Sequence, residues 1–232
     1  CPFMQLMVRD VAKLLSVSEK TIYRWVKSGK LPAYRVHDRY RFNRSELLEW
    51  ATERRIGISS AVLDEPSEGE GQPPKLLEAL ERGGIRYRLG GSSKEEVFAS
   101  LIEAMQLPEG IDHPKLLRAL LAREELSSTG IGDGVAIPHL RGPVVLQVEH
   151  PLLALGFLEH PIDFKAIDGQ RVHALFFLIC PTIRSHLQML SRLSYALQDP
   201  DLKDAVRDQA LRPDLLREFA RVERVCEERI AS

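Results

Sequence analysis

Along the first 58 residues the apolar positions recur with a helical period. Val8, Val11, Ala12 and Leu15 fall at i, i+3, i+4 and i+7, one stripe of a short helix that Ser16 and Val17 interrupt. Ser18 is a good N-cap for a second helix, Glu19 to Ser28, which buries Ile22, Trp25 and Val26 and exits through Gly29 and Leu31-Pro32. Tyr34 to Val36 and Tyr40 to Phe42 alternate around His37-Asp38-Arg39, the pattern of a small β-hairpin. Asn43 followed by Glu46 opens a third helix carrying Leu47, Leu48 and Ala51. From Ser59 to Lys75 the periodicity stops, and Gly, Pro, Ser and Glu take over, as in a solvated linker. The chain therefore divides into a small domain over 1–58, a linker over 59–75 and a larger domain over 76–232.

In the larger part, Leu76 to Arg82 predicts a short helix before Gly83-Gly84, and Ile85 to Leu89 a strand. Ser93 and Glu96 form a capping box for a helix with Val97, Leu101 and Met105 on one face and Phe98 and Ile102 beside them. A further helix, Pro114 to Arg123, turns Leu116, Leu117, Leu120 and Leu121 inward. Leu152 to Leu158 and Val172 to Ile179 are continuous apolar runs bounded by Pro and Gly, which read as strands buried on both faces. Leu187 to Leu197, Leu202 to Leu211 and Leu215 to Glu228 close the chain as helices. The predicted fold class is α/β, a mixed sheet flanked by helices, preceded by the small helical domain.

Charge sharpens this division. Residues 1–58 hold 12 Lys and Arg against 6 Asp and Glu, a net +6, whereas the remainder holds 20 against 27 and carries −7. The first part suits a polyanion and the second does not. The longest apolar run, Ala174 to Cys180, is far shorter than the roughly 20 residues of a membrane span, and the start has no leader-like pattern. A cytoplasmic protein without membrane insertion is expected. The start at Cys1 in place of Met suggests that the natural beginning lies upstream. Cys1, Cys180 and Cys226 are too far apart for a C-x-x-C site and read as reduced thiols, so no metal and no cofactor is expected.

On the second helix Lys20, Tyr23, Arg24 and Lys27 lie at i, i+3, i+4 and i+7, opposite the apolar stripe. A helix entering a major groove needs this arrangement, though the same charges also suit a solvated surface helix. Arg35, Arg39 and Arg41 of the hairpin add donors for an adjacent phosphate backbone. MVRDVAKLLSVSEKTIYRWVKSGKLPAYRVHDRYRFNRSELLEWA resembles the excisionase or MerR type of winged helix-turn-helix. The resemblance implies duplex DNA as a partner, with Lys20, Tyr23, Arg24, Lys27, Arg39 and Arg41 in contact with it. Because such modules often need two half-sites, it also suggests a homodimer.

The stretch AREELSSTGIGDGVAIPH, Ala122 to His139, is the most informative in the larger domain. Its G-x-G-x-G spacing and the following Val135-Ala136-Ile137-Pro138 do not fit a dinucleotide site, and no P-loop, nucleophile elbow or H-E-x-x-H occurs. It does set an imidazole at the end of an apolar strand, approached by glycine-rich backbone whose amides suit an anion. A neutral histidine nitrogen is a competent nucleophile toward phosphorus. Arg123, with its planar fork, and His186, at a helix start after Pro181-Thr182, are the candidate stabilisers. Among the other histidines, His37, His113, His150 and His160 read as turn or loop residues and His173 as a core side chain. Glu124 and Glu125 point apart on a helix, which argues against acid-base work.

REELSSTGIGDGVAIPH, PIDFKAIDGQRVHALFFLICP and SHLQMLSRLSYAL together are similar to the enzyme IIA domain of the fructose, mannitol and nitrogen-regulatory branch of the phosphoenolpyruvate-dependent phosphotransferase system, from about Gly84 to the end. The resemblance implies that His139 takes phosphate from a small histidine phosphocarrier protein, with Arg123 and His186 lining the site. It requires the His139 ring to be open to solvent and turned toward those two residues. Leu140 stands where the family usually has Gly, and the segment Arg141 to His150 is unusual; both bear on partner choice.

The expected function is a phosphotransferase-type sensor of nitrogen or carbon state joined to a DNA-binding module. Two alternatives stay open: a phosphocarrier that regulates a partner protein by docking without DNA, and a sugar-transport component that passes phosphate to a permease. The 17-residue linker spans about 20–25 Å as a flexible coil, against a screening length of about 8 Å. A change of contact between domains or subunits is therefore expected to carry the signal, rather than repulsion through solvent.

Overall fold

The computed structural model describes residues 5–36, 39–43, 47, 50, 51, 74–140 and 148–231. The amino-terminal unit comprises β1 (Gln5–Leu6), α1 (Val8–Leu14), α2 (Glu19–Lys27), β2 (Tyr34–Val36) and β3 (Arg39–Asn43), with Leu47, Trp50 and Ala51 helical beyond them. Ser18 caps α2, its hydroxyl accepting from Thr21 N at 3.3 Å. Gly29 then leaves the helix at φ +68°, a conformation that favours glycine. β1, unforeseen from the pattern, pairs with β3, and the sheet order is β1-β3-β2. Arg39 lies in β3 opposite Val36 instead of in the turn. His37, Asp38, Glu46, Leu48 and nearly all of the expected linker lie outside the described residues. Val8, Val11, Ala12, Leu15, Ile22 and Phe42 form the small core, with Trp25 half-buried against Trp50.

The larger unit contains α3 (Leu76–Gly83), β4 (Ile85–Leu89), α4 (Lys94–Ala104), α5 (His113–Leu126), β5 (Gly130–Gly132), β6 (Val135–Ala136), β7 (Leu152–Ile162), β8 (Val172–Ile179), α6 (Ile183–Ala196), α7 (Pro200–Arg207) and α8 (Arg212–Ala231). Its five-stranded mixed sheet has the order β4-β7-β8-β6-β5; β4 runs parallel to β7 and β6 parallel to β8, while β7–β8 and β5–β6 are antiparallel. The sheet is covered on both faces, which is why its central strands are continuously apolar. Leu153, Leu155, Phe157, Phe176 and Leu178 point to one core with α3, α6, α7 and α8. Ala154, Leu158, Leu175, Phe177 and Ile179 point to the other with α4 and α5.

Several expected boundaries shift. Ser93 caps α4 by accepting from Glu96 N, but the Glu96 carboxylate reaches Ser92 N and Oγ, one residue before the expected partner. His113 begins α5, under the Asp112 cap, and His160 falls in the irregular stretch of β7 between Phe157 and Ile162; neither lies in a loop. Among the described residues no helix is long and apolar enough to cross a membrane.

Candidate phosphoryl-acceptor site and nucleic-acid interface

The short hairpin β5–β6 turns through Asp133 and Gly134, both at positive φ, and sends the chain along β8. Pro138 offers no amide donor there, but its carbonyl accepts from Leu178 N at 3.2 Å, and His139 forms a parallel bridge with Leu178. His139 thus stands at the carboxyl end of the parallel pair. β8 then leads through Cys180-Pro181-Thr182 into α6, whose first turn is fixed by reciprocal bonds between Thr182 and Ser185. This path brings His186 beside His139, with ring centroids 5.3 Å apart and planes inclined by 43°.

The tautomer of His139 follows from its neighbour. Nδ1 lies 2.7 Å from the Ile137 carbonyl oxygen, which can only accept. Nδ1 therefore carries the proton, and in the neutral ring Nε2 keeps its lone pair.

Arg123 is also buried, at 4% exposure, in the last turn of α5, where Nη1 donates to the carbonyl and hydroxyl of Ser127 at 2.9 and 3.1 Å. Beside it Glu124 is a structural anchor. Its carboxylate takes Lys94 Nζ at 2.6 Å, Thr129 N at 3.0 Å and Thr129 Oγ1 at 2.6 Å. The Thr129 carbonyl in turn accepts from Ile137 N, two residues before the histidine. A chain of bonds thus links α4, the end of α5 and the strand that presents His139. No single-sequence signal marks the Lys94–Glu124 link, because its partners stand 30 positions apart.

Two expectations require correction. First, the glycine-rich amides are largely spent locally: Gly130 N donates to Ser128 Oγ and Asp133 N to Asp168. Gly130 and Gly134 serve close packing, since a Cβ at Gly134 would lie 2.2 Å from the His173 ring and one at Gly130 would lie 2.8 Å from Ala166. The α6 start is used similarly, with Ser185 N and His186 N donating to the Thr182 side chain and carbonyl. Second, His139 is turned toward His186 as expected but is not open: the residue is 5% exposed, and Nε2 of both rings is shielded from solvent. Leu140, in the place of a glycine, is buried next to it.

Nearby groups are tuned by burial. Burial lowers the His173 pKa below the ordinary 6.5, against a weaker opposing hydrogen bond to the Val206 backbone. Burial also pushes the Cys180 thiol up to about 12, against a smaller opposing effect of Ser185.

In the amino-terminal unit Lys20, Tyr23, Arg24 and Lys27 line one open groove along α2. Tyr23 meets Tyr40 edge-on at 6.0 Å, tying the helix to the hairpin. Arg39 and Arg41 alternate with Tyr40, so they occupy the outward face of β3 and not the face that meets α2. The structure therefore divides the expected set into a helix groove and a separate hairpin face.

A mixed sheet that ends in paired histidines, preceded by a basic helix-turn-helix unit, defines the class: a phosphotransferase IIA-type domain with an attached helix-turn-helix. Comparison with known sequences places it further. The chain belongs to the family of the phosphoenolpyruvate-dependent sugar phosphotransferase system, EIIA 2, which it matches over residues 78–221, and residues 6–55 match a helix-turn-helix domain family. It is 39% identical over 137 residues to a nitrogen regulatory protein of Pseudomonas aeruginosa, covering 57% of this chain and 86% of that protein. It is 33% identical over 141 residues to the fructose-specific EIIABC component of Bacillus subtilis, covering 59% of this chain and 21% of that one. Among solved structures, the nitrogen regulatory protein IIA-Ntr of Neisseria meningitidis superposes with a TM-score of 0.54 at 27% identity, over 62% of this chain and 98% of that one.

Proposed function

We propose that His139 is the acceptor of a phosphoryl group from a histidine phosphocarrier protein, and that the amino-terminal unit binds duplex DNA. The chain then acts as a phosphotransferase-linked regulator of transcription that responds to nitrogen or carbon state in the cytoplasm. The observation that carries the first part is the bond from His139 Nδ1 to the Ile137 carbonyl, which fixes Nε2 as the ring's acceptor atom next to His186; because that ring is shielded in this structure, transfer requires the site to open to the carrier. In the transfer, Nε2 forms a bond to phosphorus while the bond from phosphorus to the carrier's ring nitrogen breaks, its electron pair returning to that ring. His186 and Arg123 offset the charge of about −1.5 to −2 that arrives. The likeness to nitrogen regulatory proteins supports the signalling role over sugar transport.

The test is intact-mass analysis after incubation with phosphoenolpyruvate and the two general phosphotransferase proteins. One acid-labile phosphoryl group is expected on the wild type and none on His139→Ala; uptake by His139→Ala refutes the assignment. For DNA, five cations (Lys20, Arg24, Lys27, Arg39 and Arg41) predict that log Kobs falls with log salt with a slope of about −4 to −5. Lys27→Ala lowers that slope by about one. A flat response favours a docking protein that does not bind DNA.

A further inference from the structure

We infer that the amino-terminal domain and the phosphocarrier compete for α6, so that the docked domain slows phosphorylation of His139 and must leave α6 while the carrier is seated. The inference rests on the phosphohistidine reading above and concerns the regulation of that same site.

α6 shows the contact. One side of this helix, Met189, Leu190, Leu193 and Leu197, packs on the sheet. A second side is held by α8, where the buried Arg192 guanidinium lies 3.8 Å from Glu223. Leu187, Ser191 and Ser194 follow at i, i+4 and i+7 on a third side, away from the sheet. Leu187 packs against the core of the amino-terminal domain, and Ser191 and Ser194 are 2% and 9% exposed. Ala51 of the amino-terminal unit, itself fully buried, lines a cavity of about 720 Å³ together with Ser194, Leu197 and Gln198 of the α6 end. Residues 189–194 of α6 are buried, and the first domain lies against the side that carries Leu187. The opposite charges of the two parts, +6 and −7, favour this contact.

Size makes the contact exclusive. Leu187 adjoins His186, whose ring is 5.3 Å from that of His139. A standard protein interface takes about 800 Å² per partner, a patch of about 16 Å radius. Any carrier that seats its own histidine on His139 therefore covers Leu187 as well. The groove of Lys20, Tyr23, Arg24 and Lys27 stays open while the domain is docked, so docking alters how the DNA-binding unit is held rather than whether its helix is exposed.

The test uses the full chain. Ala51→Glu breaks the contact from the amino-terminal side and leaves every α6 residue unchanged. If the substitution also loosens the amino-terminal unit itself, α6 is uncovered all the same, and the expected result stands. Two readouts are taken: the initial rate of phosphoryl uptake from a phosphorylated histidine phosphocarrier, and hydroxyl-radical labelling of the Leu187 side chain. If more than about nine molecules in ten are docked, Ala51→Glu is phosphorylated about tenfold faster than wild type. Its Leu187 is labelled several-fold more. Leu187 uncovered without a gain in rate overturns the competition, and equal labelling of wild type and variant overturns the docking. Uptake by neither chain overturns the phosphohistidine reading instead, while the Leu187 labelling still decides the docking.

Discussion

The hairpin that aims His139 depends on Gly134, and replacing it by alanine tests the packing argument in isolation. At φ +71° an added Cβ incurs left-handed strain of about 1–2 kcal/mol. It also meets His173 Nδ1 at 2.2 Å, His173 Cε1 at 2.7 Å and the Arg171 carbonyl oxygen at 3.2 Å. Forcing extra volume into a packed site costs about 1–3 kcal/mol more, so Gly134→Ala should lose about 2–5 kcal/mol. Gly169 is the control: its φ is +70° and nothing lies within 4 Å of the added carbon, so Gly169→Ala should lose only the strain. Urea unfolding followed by far-UV circular dichroism measures both. Trp25 and Trp50 are the chain's two tryptophans, so fluorescence reports the amino-terminal unit and should not move. In a His173→Ala background the cost of Gly134→Ala should fall toward that of the control, with only the 3.2 Å contact to the Arg171 carbonyl left. Losses for the two glycine variants that agree within about 0.5 kcal/mol would refute the clash and leave strain as the whole effect.

The same buried His173 makes stability depend on pH. Its folded pKa lies below the ordinary 6.5, so the unfolded chain binds the proton more tightly. The contribution is complete above 6.5 and is lost as pH falls below it; urea midpoints at pH 7.5 and 5.5 should differ less in His173→Gln than in wild type. Cys180, pushed up to about 12 from 9.0, has a thiolate fraction about a thousandfold below that of an ordinary thiol. Peptide mapping after iodoacetamide treatment at pH 8 should find it unmodified in the folded chain and modified in urea. Glu223 accepts from Leu76 N at 2.6 Å and Leu77 N at 3.3 Å, capping α3, while pairing with Arg192. Glu223→Ala removes one partner of a buried pair and should cost about 3–5 kcal/mol in thermal or urea unfolding, with Glu223→Gln costing less.

Much of the architecture was legible because it rests on local rules. The Ser18 and Ser93 ends, the β4 bounds at Ile85 and Leu89, and the two-sided burial of β7 and β8 follow from capping preference and apolar period, which neighbours along the chain decide. The pairing of His139 with His186 was also legible, through motif likeness, though no spacing rule joins residues 47 positions apart. Tertiary structure alone decided the rest. β1 exists because β3 offers it an edge, Glu124 became an anchor because Lys94 and Thr129 converge on it, and Gly130 and Gly134 of the G-x-G-x-G run were assigned to packing by Ala166 and His173. The closed state of His139 belongs to this second group. Exposure is a property of what the remainder of the fold lays over a side chain, and a pattern of neighbours in sequence carries no record of it.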